Sequence, residues 1–246
     1  MRVISLASGS KGNAYIVEHR DSALLVDCGV PYKMFKDVQF DAVLITHSHT
    51  DHVSGLKTLL KHRDLPVFAN SMTAETIAYQ EKVDGNAFVC FENGQAFDIG
   101  SFHVEPFSIP HDTSDPVGYL IRTDEGCYFH GTDIGTPIDS VGLKLAEADI
   151  AVLESNHDPV LLKSSGRPVS IIQRIAGPRG HLSNDDACEL VKKFVSPRLK
   201  RLALAHLSRD CNAPHLAEDA MRRTLAALNR QDIQLKVLSQ DEVVEL

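Results

Sequence analysis

No stretch of this sequence is apolar for long enough to cross a membrane; its hydrophobic runs fall well short of the roughly 18 residues a span requires. Met1-Arg2-Val3-Ile4-Ser5-Leu6 reads as the entry to a strand rather than as a signal peptide, so the expected setting is the cytoplasm, with no membrane partner. Cysteine is scarce and unpatterned. Cys28, Cys90, Cys127, Cys188 and Cys211 are odd in number and lack CxxC spacing, which argues against a disulfide framework or a zinc knuckle and predicts reduced core thiols. Repeats and low-complexity linkers are also absent. The 246 residues, 43% hydrophobic, are then read as a single domain able to bury about three-quarters of its unfolded surface. Net positive charge is missing too: at a formal −8 the chain lacks the balance of a general polyanion binder. The deficit is uneven, because residues 159–209 hold ten basic side chains against three acidic ones, a balance of +7 that leaves −15 for the remainder. Some of these, Lys192 and Lys193 above all, fit a solvated helix face.

Short β-type runs dominate. Strands are expected at Val3 to Ala7, Ala14 to Val17, Ala23 to Val26, Ala42 to Ile45, Pro66 to Ala69, Phe88 to Phe91, Phe102 to Phe107, Gly118 to Arg122, Cys127 to His130, Ile150 to Leu153, Arg201 to Ala205 and Leu235 to Leu238. Helices fit Tyr32 to Asp37, the segment carrying Val53, Leu56, Leu59 and Leu60, then Thr73 to Tyr79, Asp185 to Val195 and Ala217 to Asn229. Strand-rich halves with interspersed helices give an α/β fold, a four-layer αβ/βα sandwich. The least regular stretch is Asn156 to Gly180, and loops of that length are usually functional or mobile.

Directly after Ala42-Val43-Leu44-Ile45 comes Thr46-His47-Ser48-His49-Thr50-Asp51-His52, three imidazoles and a carboxylate within six residues. Neutral imidazole and carboxylate are ligands that Zn, Mn and Fe accept. Residues two apart in an extended segment point the same way, so His47 and His49 are placed to clasp one ion while Asp51 and His52 reach a second. A solvated histidine-rich loop accounts for one such residue, not for this spacing.

The HxHxDH run followed by Val53-Ser54-Gly55 resembles the signature of the metallo-β-lactamase superfamily, whose fold is the same αβ/βα sandwich. The resemblance implies a binuclear hydrolase with two divalent ions. It further implies a lone His, a bridging Asp and a last His, supplied in order by His111, Asp133 and His206. One ion would be held by His47, His49, His111 and Asp133, the other by Asp51, His52, Asp133 and His206. Two adjacent cations lower the pKa of a shared water and polarise an electrophile, which is hydrolytic chemistry that does not by itself select a substrate.

Glu154, in Val152-Leu153-Glu154-Ser155-Asn156-His157, and His181, in Gly180-His181-Leu182-Ser183-Asn184, resemble the carboxylate and imidazole of the ribonuclease Z branch, where the pair protonates a leaving alkoxide. A cap or salt bridge for Glu154 and a surface position for His181 are the plainer alternatives. Together with Ala7 to Asn13, Ile109 to Asp112 and Ala205 to Ser208, these stretches resemble the YycJ/WalJ/VicX family over nearly the whole chain. That likeness implies a DNA exonuclease acting from the 5′ end. By the same resemblance the attacking nucleophile is a metal-bound hydroxide directed at phosphorus, with Asp51, Glu154 and His181 as catalytic residues. The chain departs from the family pattern at Gly131, where Ala is expected, and it lacks both a β-CASP insertion and a Gly/Pro-rich tRNA arm.

The Ser8-to-Asn13 loop is either a plain hairpin turn or a phosphate seat, with Ser10, Asn13 and, further along, Arg179 as substrate-binding candidates. His157 has no assigned role. His19, His62, His103, His130 and His215 are expected to be structural or exposed. The rival chemistry is hydrolysis of a small cyclic phosphodiester, thioester or lactone, and the rival class is a metal-stabilised binding protein.

Overall fold

The apolar runs of the first third become strands β1 (Arg2–Ala7), β2 (Ala14–His19), β3 (Ser22–Val26), β4 (Ala42–Leu44), β5 (Val67–Asn70) and β6 (Phe88–Phe91) in the computed structural model, which describes residues 1–246. They form one sheet in that order, with the short C-terminal strand Val244–Glu245 outside β1. Pairing is antiparallel from β1 through β3 and parallel from β3 through β6. Leu24, Leu25, Val26, Val43, Leu44 and Ile45 are wholly buried. Burial on both faces explains why β3 and β4 read as continuous hydrophobic runs rather than alternating ones.

Three helices belong to this unit: α1 (Thr50–Val53), α2 (Leu56–His62) and α3 (Ser71–Glu81). Leu56, Leu59 and Ile77 insert into a core with Ile16, Leu25, Val43 and Val67. Asn70 caps α3 by accepting from the Thr73 backbone N–H. An antiparallel meander of β7 (Phe97–Ile99), β8 (Phe102–Ser108) and β9 (Val117–Thr123) completes the unit, which comprises residues 1–108, 113–125 and 239–245.

The second compact unit comprises residues 109–112 and 126–238 with Leu246. Its strands β10 (Gly126–Gly131), β11 (Ile150–Glu154), β12 (Arg201–Ala205) and β13 (Gln234–Val237) are all parallel. Parallel neighbours require crossovers. These are α4 (Asp139–Leu145) after β10, then α5 (Pro159–Ser164), α6 (Val169–Ile175) and α7 (Asn184–Phe194) after β11, and α8 (Pro214–Ala227) after β12. Helix α7 starts on a capping box, Ser183 and Asp186 each accepting the other's backbone N–H.

Three expectations fail locally. The helix expected from Tyr32 to Asp37 is only a 3-10 turn, Tyr32–Met34. Phe35 turns into the core, and the Arg63 guanidinium takes the carbonyls of Phe35, Lys36 and Val38 that a longer helix would have used. Asn156 to Gly180 is not an irregular loop, since it contains α5 and α6. Asp158 caps α5 through Val160 and Leu161, with Pro159 in the first turn, a start signal that sequence reading passed over. Finally, Cys90 is not a core thiol: it is exposed on β6, whereas the other four cysteines are buried.

Candidate metal centre and acid pair

In the first unit the residues Thr46 to His52 follow β4, and the adjacent parallel strand β3 is followed directly by Asp27, which has a left-handed backbone (φ 59°). Asp27 is fully buried. Its carboxylate accepts from the Thr46 backbone N–H at 2.9 Å, from the Thr46 hydroxyl at 2.9 and 3.0 Å, and from His52 Nδ1 at 2.7 Å. Because the Thr46 hydroxyl proton goes to Asp27, its oxygen accepts from His47 Nδ1 at 3.0 Å. His47 Nε2 then lies 3.2 Å from His49 Nδ1, so two ring nitrogens converge. His52 Nε2 lies 3.6 Å from Asp51 Oδ2. Gly29 makes this packing possible, because a Cβ there would stand 1.7 Å from the Asp51 carbonyl oxygen.

Asn13, a phosphate-binding candidate by sequence, faces inward. It is fully buried, its Oδ1 accepting the Gly9 N–H at 2.9 Å and its Nδ2 reaching Gly9 O at 3.1 Å and His52 Nε2 at 3.1 Å. The amide therefore braces the Gly9 loop against His52 of α1. Ser10 sits exposed at the loop tip.

In the second unit three parallel strands deliver chemistry at their carboxyl ends, the usual position for ligand contacts in parallel sheets. Gly131, Leu153 and Leu204 share a register, so Asp133 lies two residues past β10, Glu154 closes β11 and His206 follows β12 directly. Asp133 (φ 58°) and His206 (φ 56°) both hold left-handed backbones, a costly conformation that persists where the surroundings enforce it. Gly131 stands where an alanine Cβ would meet the Phe129 ring at 2.7 Å. An alanine at this position would have to displace that ring.

Glu154 has no exposure and accepts four hydrogen bonds: His181 Nδ1 at 2.8 Å, His206 Nδ1 at 3.0 Å, Ile134 N at 2.7 Å and Leu182 N at 3.1 Å. Burial alone would raise its pKa, but the charge of His181 and the bonds from His181 and His206 win, holding the carboxyl below its ordinary range. Burial likewise opposes a charge on His181, and the neighbouring Glu154 outweighs it, raising the imidazole. The His181 side chain keeps 20% exposure, enough to meet a substrate. Asp133 Oδ1 lies 3.4 Å from both His181 Nδ1 and His206 Nδ1 and 3.6 Å from His111 Nε2. His111 in turn gives Nδ1 to Gly180 O at 2.9 Å. Asp133, Glu154, His181 and His206 thus bring four ligand-type atoms within 4.8 Å of one another.

These residues fit divalent metal ions. His47, His52, His111 and His206 each commit Nδ1 to a hydroxyl, a carboxylate or a carbonyl. Such an outer contact fixes the tautomer and would make Nε2 the ligating atom for a bound ion, the arrangement found around metal-bound imidazoles. Asp27 and Thr46 are the contributors that sequence reading missed. The usable signal was an acidic residue directly after the strand next to the one that precedes the histidines.

The remaining candidates separate. Arg179 gives Nε to His111 O at 2.8 Å, anchoring a ligand loop. His157 is buried, and burial lowers its pKa. His19 and His130 are buried and hydrogen-bonded to Ser101 and Tyr128, while His62, His103 and His215 are exposed. Much of the basic excess is matched locally by acidic partners: Arg167 by Asp210, Arg174 by Asp112, Lys192 by Glu189, Lys193 by Asp139 and Arg198 by Asp149.

Comparison with known proteins agrees with this geometry. A beta-lactamase superfamily domain matches residues 25–206. The chain is 34% identical to exodeoxyribonuclease WalJ of Streptococcus pneumoniae over 90% of its own length and 87% of the relative's. It is also 34% identical to exodeoxyribonuclease YycJ of Bacillus anthracis, over 89% and 87%. Among solved structures, the metallo-beta-lactamase fold protein YhfI of Bacillus subtilis superposes with a TM-score of 0.69 at 19% identity, covering 100% of both chains, a likeness of fold alone.

Proposed function

The chain belongs to the beta-lactamase superfamily and, within it, to the family of WalJ and YycJ; it is a metal-dependent hydrolase, and we propose that its substrate is DNA, degraded exonucleolytically from the 5′ end. The superfamily match runs through residues of both compact units, which supports reading them as one catalytic domain. By resemblance to the family motif, His47, His49, His111 and Asp133 would hold one ion, and Asp51, His52, Asp133 and His206 the other. When bound, such ions supply Lewis acidity and a nucleophile at neutral pH.

The observation that carries the phosphodiesterase reading is Glu154 engaging two imidazoles through Nδ1 while His181 alone of the two keeps substantial exposure. Glu154 orients the His181 ring and favours its protonated form. The Nε2–H is then the proton that a departing sugar oxygen requires. A strongly basic alkoxide needs that acid, whereas a thioester or lactone needs it much less. Exposed Ser10 and, through its guanidinium, Arg179 remain the substrate-binding candidates; Asn13 is reassigned to bracing the Gly9 loop.

His181→Ala should keep its metals and fold but lose roughly 10² to 10⁴ in rate on DNA, the range of a missing general acid. On a nitrophenyl phosphodiester, whose leaving group departs unprotonated, the loss should be far smaller. Steady-state rates on both substrates decide the matter, and equal losses would remove His181 from the role of proton donor.

A further inference from the structure

Four polar side chains with 1% to 7% exposure lie just behind Glu154, His181 and His206: Ser155, Asn156, Asn184 and Asn212. Asn184 and Asn212 exchange amide hydrogen bonds reciprocally, at 3.0 and 2.9 Å. The Ser155 hydroxyl donates to Asn184 Oδ1 at 2.6 Å. Asn212 Nδ2 also faces the carbonyls of Ser155 at 2.9 Å and Asn156 at 3.1 Å, and Asn156 Nδ2 donates to His206 O at 2.8 Å. Backbone bonds join the same segments, from Asn156 N to Leu182 O and from Ser208 N to Asn156 O.

Burying four such groups is costly unless each is satisfied, and an apolar set would pack the space with less at stake. What the amides provide is directional. They tie together the loop after Glu154, the loop from His181 to Asn184 and the loop from His206 to Asn212. His206 needs that help, because a residue with a side chain does not rest in a left-handed conformation without restraint. Its carbonyl is held by Asn156, and its Nδ1 then meets Glu154.

We propose that Asn156, Asn184 and Asn212 act as positioning residues, an amide clamp that fixes the backbone of His206 and thereby registers this ligand with Glu154 and His181. The proposal rests on the reading of His206 as a metal ligand. Asn212, which lies outside the motif stretches singled out in the sequence, is the centre of the clamp.

The test uses the full chain loaded with zinc and, separately, with cobalt(II). Each ion's affinity is measured by competition with a chromophoric chelator in the parent, Asn156→Ala and Asn212→Ala. The expected result is that one ion binds about 10- to 100-fold more weakly, as for other outer-shell losses, while the second keeps its affinity. The visible cobalt(II) bands should shift, and kcat on a nitrophenyl phosphodiester should fall while KM holds. Parent affinities with an unchanged cobalt(II) spectrum, even alongside a lower melting temperature, would overturn the clamp and leave a merely structural network. Equal weakening of both ions would overturn it as well. Should Asn212→Ala fail to fold, Asn156→Ala, which breaks the Asn156 side-chain bond to the His206 carbonyl, decides by the same criteria. A parent protein that binds no metal defeats the metal-centre reading itself, a result separable from parent-like binding in the variants.

Discussion

Asp27 shows how much one carboxylate can determine without touching a substrate. It receives Thr46 twice and His52 once, and through the Thr46 hydroxyl it also sets the tautomer of His47. Asp27→Asn replaces one accepting oxygen by a donating amide in a fully buried site. Metal affinity should fall about 10- to 100-fold, and equilibrium dialysis returning parent affinity would contradict this role. The Glu154–His181 pair has its own signature in the metal-free protein. His181, raised by folding, contributes stability below its unfolded value of about 6.5 that is lost as pH rises through its folded pKa; Glu154, lowered by folding, contributes stability above its unfolded value of about 4.3 that is lost as pH falls through its folded pKa. The metal-free protein should therefore show a stability maximum between these limits. Urea titrations across pH, with Glu154→Gln as control, should find the maximum flattened in the variant.

At the scale of elements, the short helix α6 governs two site residues through its end. The Ile175 carbonyl accepts the His181 N–H, and Gly180 offers its own carbonyl to His111 Nδ1. A Cβ on Gly180 would lie 2.1 Å from Ile175 O and 2.3 Å from Arg174 O, so Gly180→Ala must push the turn outward. We expect a stability loss of about 1 to 3 kcal/mol, typical of overpacking, with activity falling more than tenfold because both imidazoles move. Parent-like turnover would show that the turn yields harmlessly. The sequence made the strands legible, because burial on both faces forces continuous apolar runs. It hid α5 and α6 because they are only six and seven residues long and are flanked by Gly166-Arg167-Pro168 and Gly177-Pro178, turn signals that outweigh the short apolar spacing of Val169, Ile172 and Ile175. The candidate metal motif stands out for a different reason: four ligand-type residues, His47, His49, Asp51 and His52, lie within six positions. Asp27, Asn156 and Asn212 act through hydrogen bonds between loops remote in sequence, and no local pattern records that.

For the whole molecule, charge is less informative than its distribution suggested. The net charge is −8, and Arg167 and Arg174 are already paired to Asp210 and Asp112. Neutralising Arg167, Arg174 and Arg179 together should flatten the salt dependence of DNA binding by about one phosphate contact or less, rather than three. Fluorescence anisotropy over a salt series measures this directly. A drop of three contacts would mean that the pairs open to take the backbone.

Gly131 carries a consequence for how relatives can vary. Since the Phe129 ring fills the space of the missing methyl group, positions 129 and 131 share one small volume and are not free to change independently. An alanine at 131 calls for a smaller side chain at 129, so homologous sequences are expected to trade bulk between these two sites. A double-mutant cycle makes the coupling measurable: Gly131→Ala should be harmful alone and substantially relieved by Phe129→Leu. Additive effects would show that the ring can move aside, and that the two positions drift separately over evolutionary time.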